Sequence, residues 1–298
     1  MLWLRGSALS VALLVCASSL FGASAIFAKL SFAHGCGVLT LLAARNLGSA
    51  VVTGPLAAWK ARDAWRTVDK PSRWLVISAF NIASAGCYMG ALSFDKVGRI
   101  APIVFVFPAL IAGLGWLHFR NPIGRKLAAS LVIGVIGTML VFGSDIGAPS
   151  KVVGGLLAIA TAVFAAYYFI TAARFTSTHW LATGATIFTL GSLVYVPVAL
   201  ATRSPLPNGI GWLWLAGLVV LGGVVPYLMQ LSALSAVGST KAGVLALLEP
   251  VVSVAMAYLV LSESMSALQA AGAALVLTSF VLATVRLRRR PTPAGTSA

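Results

Sequence analysis

The sequence predicts an all-α polytopic membrane protein of about ten transmembrane helices, arranged as two inverted five-helix repeats. Three observations support this fold class. The chain is 59% hydrophobic and only 9% charged, with a mean hydropathy of +0.98, which is more apolar surface than a soluble core can bury. It contains ten apolar runs of about 20 residues, the length that a helix needs to cross a bilayer. A pattern of roughly sixty residues also occurs twice.

The ten apolar runs are separated by charged and turn-forming residues. They are continuously apolar, whereas the strands of a membrane barrel would alternate apolar and polar residues in segments of about ten, so we predict helices. Helices also satisfy their own backbone hydrogen bonds in lipid. The predicted spans are 8–30, 36–58, 73–93, 97–119, 124–143, 152–173, 180–201, 210–233, 239–261 and 266–286.

Each copy of the repeated pattern places a proline inside a span, Pro108 in the first and Pro250 in the second. The distance from the proline to the polar residue that ends the apolar stretch is the same in both copies, at Asn121 and Glu263. Proline removes a helical hydrogen bond, so both spans can bend there, and we predict hinges at both prolines. Broken helices at matching places in two halves indicate the binding site of a transporter.

The basic residues predict the orientation of the chain. With a cytoplasmic N-terminus, 15 of the 21 basic residues lie inside and five outside, while Arg45 falls within a span. The positive-inside rule therefore places both termini in the cytoplasm. We predict a first repeat at 1–148, a second at 149–290 and a disordered cytoplasmic tail at 291–298. Because each repeat has an odd number of spans, the second must insert upside down relative to the first.

An alternative interpretation of residues 1–25 is a cleaved signal peptide, since Arg5 precedes an apolar stretch and the segment 21–25 resembles a small-residue cleavage site. The apolar character continues through Ala28, however, and cleavage would destroy the five-plus-five arrangement. We therefore favour a first transmembrane span.

The net charge of +15 raises the question of a nucleic-acid partner. The basic residues stand at helix ends or in a four-arginine tail rather than on one face of a domain, so we predict contact with anionic lipid and no nucleic-acid binding. The three cysteines and three histidines lack metal-binding spacing, and we predict neither a metal nor a cofactor.

Several motifs resemble the paired EamA-type domains of the drug/metabolite transporter superfamily. They are Val97-Gly98-Arg99 and Val237-Gly238-Ser239, the pair Phe107-Pro108, the run Leu248-Glu249-Pro250, and the segments 257–264 and 269–277. The likeness covers nearly the whole chain and is strongest in the second half. In the first half Phe107 stands at the position of Glu249, and Asn121 at the position of Glu263.

The resemblance implies a ten-helix inner-membrane carrier that moves small organic solutes, often outward, through a central cavity. The fourth and ninth spans would line this cavity together with the first, third, sixth and eighth, and the fifth and tenth would be peripheral. Amino acids, other metabolites and drugs all remain open as substrates, as do proton coupling and a homodimer. The alternatives from other classes are a membrane scaffold or sensor and an intramembrane enzyme. For an enzyme the sequence offers no nucleophile–base setting and no membrane aspartate pair.

Glu249 and Arg45 each lie about ten residues into a span, which places both near the bilayer midplane at 1.5 Å of rise per residue. A charge at that depth costs about 2.5–3.5 kcal/mol, so such residues are functional candidates by default. We predict Glu249 as a proton-coupling or substrate-amine group. The alternatives are that Glu249 bonds to backbone opened by Pro250, and that Arg45 pairs with a facing carboxylate or carbonyl.

Further polar residues in the predicted cavity spans could orient a polar solute in an apolar pocket. They are Asn81, Tyr88, Arg99, Tyr167, Tyr168, Tyr227, Gln230 and Lys241. For Tyr88 the alternative is an anchor at the membrane interface. For Arg99 and Lys241 it is snorkelling of the side chain toward the headgroups.

Overall fold

The computed structural model of the chain describes residues 2–64, 72–95, 97–120, 123–142, 152–175, 180–262 and 264–284. These residues form ten helices, three of which are interrupted. The helices are α1 (Leu2–Ala33), α2 (Val38–Lys60), α3 (Ser72–Phe94), α4a (Val97–Val104) with α4b (Phe107–Phe119), α5 (Arg125–Val141), α6 (Val152–Phe175), α7 (Trp180–Ala201), α8a (Gly211–Val219) with α8b (Val225–Val237), α9a (Ser239–Ala246) with α9b (Leu248–Leu261), and α10 (Ala267–Thr284). Every predicted span coincides with one of these helices, which confirms the all-α membrane fold. The predicted tail at 291–298 and the polar residues Asn121 and Glu263 lie outside the described residues.

Eight helical segments of the described chain are long and apolar enough to cross a membrane. The other two predicted spans, α2 and α5, are not among these eight segments, and each has a simple reason. Arg45 and Asn46 interrupt the apolar character of α2 at mid-length, and α5 has 17 residues. An interrupted apolar run of this kind is expected where a transmembrane helix carries polar groups to a protein interior rather than to lipid.

The spans that contain Pro108 and Pro250 are both broken within the three residues before the proline. In α4 the break falls at Phe105 and Val106, and in α9 at Leu247. Proline lacks an N–H group, so it is accommodated in the first turn of a helix, where Pro108 and Pro250 both lie. The broken helices predicted from the sequence are thus present, while hinge motion at the two prolines stays a prediction.

The helix pairs of the bundle are equivalent when the two halves are exchanged. Helix α2 packs along α7, and α5 along α10. Helix α6 packs against α3 and both parts of α4, and α1 packs against α8 and both parts of α9 in the same way. The duplicated sequence therefore folds into two five-helix units that use equivalent contacts.

The pair α5 and α10 lies away from the centre and is held by small residues. A Cβ atom added at Gly137 would fall 2.8 Å from the Gly272 carbonyl oxygen, so the two backbones touch. The Ser130 hydroxyl donates to the Ser279 carbonyl at 2.9 Å, and the Ser279 hydroxyl donates to the Ser130 carbonyl at 2.7 Å. Small residues and hydroxyl pairs of this kind are what joins helices in lipid.

One end of the bundle is closed by the largest buried apolar cluster. It includes Leu14, Ile77, Ile111, Leu231 and Leu245. These residues share one end because α1, α3 and α9 begin there while α4 and α8 end there. At this end α4b packs directly against α9a, whereas α4a packs against α3 and α6, and α9b packs against α1, α5 and α10. The two broken helices thus meet at one end and diverge toward the other.

Candidate functional site

A cavity of about 270 Å³ lies at the centre of the bundle, level with the breaks in α4 and α9. Seven helices contribute to its wall: α1, α2, α3, α4, α6, α8 and α9. The resemblance implied six of these, and α2 is the addition. The lining residues are Ser18, Phe21, Leu42, Arg45, Asn81, Ser84, Ala85, Tyr88, Met89, Val104, Phe105, Phe107, Thr161, Ala165, Tyr168, Phe169, Tyr227, Gln230, Ala246 and Glu249.

Helical periodicity explains which side chains of α3 face the cavity. Asn81, Ser84, Ala85 and Tyr88 all line it. They are spaced three and four residues apart, so they share one face of the helix. Ser84 was not predicted, although its position between Asn81 and Tyr88 on that face was readable from the sequence.

The same periodicity separates two adjacent tyrosines of α6. Tyr168 lines the cavity together with Thr161 and Ala165, which lie on its face. Tyr167, the residue before it, points in a different direction and its ring stacks on Phe80, with 5.1 Å between ring centroids. The structure therefore places Tyr168 at the cavity and Tyr167 against a neighbouring helix.

Arg45 reaches the cavity from α2 and lies over an aromatic ring. Its guanidinium carbon is 5.8 Å from the centroid of the Tyr227 ring, which is within the range of a cation–π contact. The Tyr227 ring is itself held edge-on by Phe21 and Phe188, with centroid distances of 5.1 and 5.2 Å. The Arg45 Nε atom is buried and has no hydrogen-bond partner among the described residues. The guanidinium group is thus fixed in direction while at least one of its donors is unused.

Glu249 reaches the cavity from the first turn of α9b. Its backbone is in close contact with α1, because a Cβ atom added at Gly22 would lie 2.5 Å from the Glu249 carbonyl oxygen. The Ser253 hydroxyl also donates to the Gly22 carbonyl at 2.9 Å. Only glycine permits this approach of the two backbones, so Gly22 sets where the carboxylate stands.

The two halves are not equivalent at the Glu249 position. Helices α4b and α9b both end in a residue of left-handed conformation, Arg120 with φ 49° and Ser262 with φ 55°. Counting back from these caps aligns Phe107 with Glu249, and both side chains line the cavity. The alignment drawn from the sequence is therefore supported, and the duplicated frame presents an acid from one half and a phenyl ring from the other.

Four of the neutral polar residues of the cavity form two hydrogen-bonded pairs. The Tyr168 hydroxyl donates to Gln230 Oε1 at 3.0 Å, and both residues are buried. The Asn81 amide donates to the Tyr227 hydroxyl at 3.3 Å. Because buried polar groups need partners, these pairs fix the positions of four predicted site residues.

Removing the Tyr168 hydroxyl is expected to destabilise the protein. The substitution Tyr168→Phe leaves the Gln230 carbonyl oxygen without its donor, which costs about 1–3 kcal/mol. The adjacent substitution Tyr167→Phe is the matched control and should change little, since no hydrogen bond of the Tyr167 hydroxyl is found among the described residues. Thermal unfolding of the two variants in detergent measures the difference, and equal melting temperatures would contradict the assignment.

The remaining predicted site residues lie outside the cavity wall. Arg99, near the start of α4a, forms an ion pair with Asp95 at 3.2 Å. Lys241 lies in the first turn of α9a. Pro108 packs in the interface of α4b with α9a, where a Cβ atom at Gly243 would be 3.2 Å from the Pro108 Cβ atom. Pro250 is buried in the first turn of α9b, one residue beyond Glu249.

A π-helical segment in α8 was not predicted. It spans Val220–Val224 and includes Gly222 and Gly223. A Cβ atom at Gly223 would lie 2.5 Å from the Ser49 hydroxyl and 3.3 Å from Arg45 Cγ, so the segment packs directly on the stem of the arginine. π-Helical turns are frequent at functional sites, and the Gly-Gly pair before Pro226 is the signal that could have indicated this one.

Comparisons with known proteins agree with this architecture. The model of the EamA-like transporter family matches the chain twice, over residues 8–143 and 152–285. The chain belongs to the EamA-like transporter family. An uncharacterized transporter of Archaeoglobus fulgidus is 25% identical over 222 residues, which cover 73% of this chain and 78% of that protein. A solved crystal structure shares the fold with a TM-score of 0.77 and 20% identity, covering 92% of this chain and 96% of that one.

This membership establishes a multi-pass membrane protein whose general function is transport. Membership in a transporter family implies that its partners are the lipid bilayer and a small-molecule substrate. Among the described residues, no group of three or more His, Cys, Asp and Glu side chains is placed to hold a metal ion.

Proposed function

We propose that this EamA-family protein is a secondary transporter of the inner membrane that exports small organic metabolites by alternating access. The observation that carries the proposal is the central cavity, which contains Arg45 and Glu249 at the level where α4 and α9 are broken. Breaks at matching positions of two repeats are typical of transporter binding sites. Transport is favoured over catalysis because the wall combines aromatic side chains with paired neutral groups rather than a nucleophile and its base.

The asymmetric closure of the bundle supports alternating access. The apolar cluster and the contact of α4b with α9a close the end that holds the N-terminus of α1, which the positive-inside rule assigns to the cytoplasm. At the opposite end of the bundle, α4a and α9b pack against different neighbouring helices. This arrangement corresponds to a carrier whose cavity is closed toward the cytoplasm. Because the helix pairs are equivalent under exchange of the halves, each half can form the contacts that the other half now makes, which is the basis of exchange between inverted repeats.

We assign proton coupling to Glu249 within this proposal. It is the acidic residue among the described lining residues, and it stands beside the break before Pro250. A carboxyl group at that depth can exchange its proton with whichever side the cavity faces. The repeats 1–148 and 149–290, their inverted insertion and cytoplasmic termini form part of the same proposal, and a homodimer remains open.

Replacing Glu249 by glutamine is expected to abolish uphill transport. Purified protein in liposomes, with solute accumulation driven by an imposed pH gradient, measures this, and a panel of amino acids, nucleosides, sugars and cationic drugs supplies the solute. The variant Glu249→Gln should retain exchange of solute across the membrane but lose accumulation, since the amide cannot carry a proton. The control Asp63→Asn removes an exposed acid outside the cavity and should behave as the original protein. Accumulation by Glu249→Gln at the normal rate would remove this residue from the coupling mechanism.

A further inference from the structure

Two arginines stand at one aromatic ring where α3 begins and α6 ends. The guanidinium carbon of Arg73 lies 4.8 Å from the centroid of the Phe175 ring, and that of Arg174 lies 6.0 Å from the same centroid. Arg73 is the second residue of α3 and Arg174 the last but one of α6, and both are exposed. This arginine pair, Arg73 and Arg174, therefore concentrates two permanent positive charges at the end of the bundle that the positive-inside rule assigns to the cytoplasm.

The Phe175 ring determines where the arginine pair stands. The ring is half-buried and packs against the apolar cluster that closes this end of the bundle. A contact between a guanidinium group and an aromatic ring uses the charge and the face of the group rather than its N–H donors. The positive end of the α3 dipole adds to the field at Arg73. The arginine pair is thus suited to an anionic oxygen ligand, and phosphate matches the guanidinium donors with two parallel hydrogen bonds.

A row of mostly aromatic side chains leads from the arginine pair toward the middle of the membrane. Counted from the arginines, its members are spaced three and four residues apart on each helix, so each helix contributes one face. The two faces meet where the Phe80 ring stacks on Tyr167, with 5.1 Å between centroids and 16° between planes, and lies 6.3 Å from Phe164. We call this row the aromatic stripe, and it consists of Val76 and Phe80 of α3 with Phe164, Tyr167 and Thr171 of α6.

The aromatic stripe is accessible from lipid and has the length of one leaflet. Val76 is 43% exposed, Phe80, Phe164 and Tyr167 are half-buried, and these four lie outside the described cavity wall. Phe164 precedes Arg174 by ten positions of one helix, which is about 15 Å at 1.5 Å of rise per residue. Half of a hydrocarbon core of about 30 Å has the same length. An acyl chain whose headgroup is held at the arginine pair would therefore lie along the stripe over most of its length.

The corresponding helix ends of the other half carry uncharged residues. Exchange of the halves relates α6 to α1 and α3 to α8. The last two residues of α1 are Phe32 and Ala33, and the first two of α8 are Gly211 and Trp212. The duplicated fold therefore forms this helix junction without arginine, so a structural need does not explain the arginine pair. The difference agrees with the membrane, because anionic lipids give the cytoplasmic leaflet a negative surface potential.

We propose that Arg73 and Arg174 bind the phosphate group of one anionic phospholipid from the cytoplasmic leaflet, and that an acyl chain of this lipid lies along the aromatic stripe. The site goes beyond the proposed carrier function and does not depend on it, since it lies outside the central cavity. It depends on the cytoplasmic position of this end of the bundle. The guanidinium groups select the headgroup by its charge, and the stripe distinguishes a lipid from a free phosphate compound.

Titration of the full purified chain with three probes tests this inference, and native mass spectrometry counts the bound molecules. Dioleoyl phosphatidylglycerol has a net negative headgroup, dioleoyl phosphatidylcholine has the same chains and phosphate without net charge, and glycerol 3-phosphate has the phosphate without chains. We expect one phosphatidylglycerol to bind about tenfold more tightly than phosphatidylcholine, because only its net charge complements the arginine pair. Glycerol 3-phosphate should bind about hundredfold more weakly than phosphatidylglycerol, because it buries no apolar surface on the stripe.

Variants of the headgroup contact and of the stripe are expected to give different patterns. The double variant Arg73→Gln with Arg174→Gln should weaken phosphatidylglycerol by about tenfold, to the level of phosphatidylcholine. Phe164→Ala should weaken both lipids alike by about tenfold, since it removes apolar contact with the chain. The control Arg125→Gln removes an exposed arginine at the cytoplasmic start of α5, in the pair of helices away from the centre, and should leave the dissociation constants unchanged.

Four results would each contradict the inference. Equal weakening of phosphatidylglycerol by Arg125→Gln and by the double variant would indicate diffuse attraction of lipid to a basic surface. Glycerol 3-phosphate that binds as tightly as phosphatidylglycerol would indicate a soluble phosphate compound as the ligand. Unchanged lipid binding in the double variant would remove the arginine pair from the site, and unchanged binding in Phe164→Ala would remove the stripe. Solute exchange in liposomes is measured separately, and its outcome tests the carrier proposal alone.

Discussion

Linking α4b to α9a by a disulfide is expected to stop transport completely. A Cβ atom at Gly243 would lie 3.2 Å from the Pro108 Cβ atom, and disulfides join Cβ atoms about 3.5–4.5 Å apart, so a small shift allows the bond. The variant carries Pro108→Cys and Gly243→Cys, with Cys16, Cys36 and Cys87 replaced by alanine. Because the bond holds the two broken helices together at the closed end, the cavity could not open there.

The measurement is solute exchange in liposomes before and after oxidation, with reductant added to the same sample. Exchange should fall to the level of protein-free liposomes on oxidation and return on reduction. The single variants Pro108→Cys and Gly243→Cys control for the substitutions themselves. Unchanged exchange with a fully formed disulfide would show that α4b and α9a do not separate during transport, and the alternating-access proposal would have to place its inner gate elsewhere.

Enlarging Gly22 to leucine is expected to disrupt the cavity and destabilise the fold. The added Cβ atom would lie 2.5 Å from the Glu249 carbonyl oxygen and 2.8 Å from Val252 Cβ, so α1 and α9b must move apart. The clash involves backbone rather than the end of a flexible side chain. Overpacking of this kind costs about 1–3 kcal/mol or more, and it also shifts the Glu249 carboxylate.

The matched control is Gly54→Leu in α2, since a Cβ atom at Gly54 meets no atom within 4 Å. Thermal unfolding in detergent should give a clearly lower melting temperature for Gly22→Leu, whereas Gly54→Leu should match or exceed the original because leucine is a better helix former than glycine. Solute binding should be lost in Gly22→Leu alone. A Gly22→Leu protein that is as stable as the control would mean that α1 and α9b are not in contact at this point.

Selecting the polar residues of the candidate spans identified some residues of the cavity wall and misplaced another. Asn81, Tyr88 and Tyr168 were selected as polar residues of candidate spans, and the structure brings them together. Tyr167 was selected on the same ground but faces Phe80, because adjacent residues on a helix point about 100° apart. A span that is apolar all round gives no indication of which face is buried, so composition alone could not distinguish the two tyrosines.

The interior position of Arg45 was predicted from the free-energy cost of placing a charge in lipid rather than from geometry. An arginine within a span needs a protein or water environment, and this argument selected it correctly as a residue of the bundle interior. The partner was not predictable. The sequence left open a facing carboxylate or carbonyl, while the structure shows the ring of Tyr227, which follows Arg45 by almost two hundred residues.

The sequence by itself determined the membrane class, the ten helices, the duplication and the two breaks before proline. The membrane class, the helices and the breaks follow from the length of the apolar runs, the charges between them and the missing N–H of proline, all of which are local features of the chain. The duplication is visible as a pattern that occurs twice. Only the tertiary structure decided which helix faces meet, that α2 joins the cavity wall, that a π-helical segment packs on Arg45, and that Arg45 and Glu249 share a cavity without pairing. The physical reason is that helices in lipid associate through local shape and a few polar contacts rather than through an apolar stripe, and that shape exists only after the helices have packed.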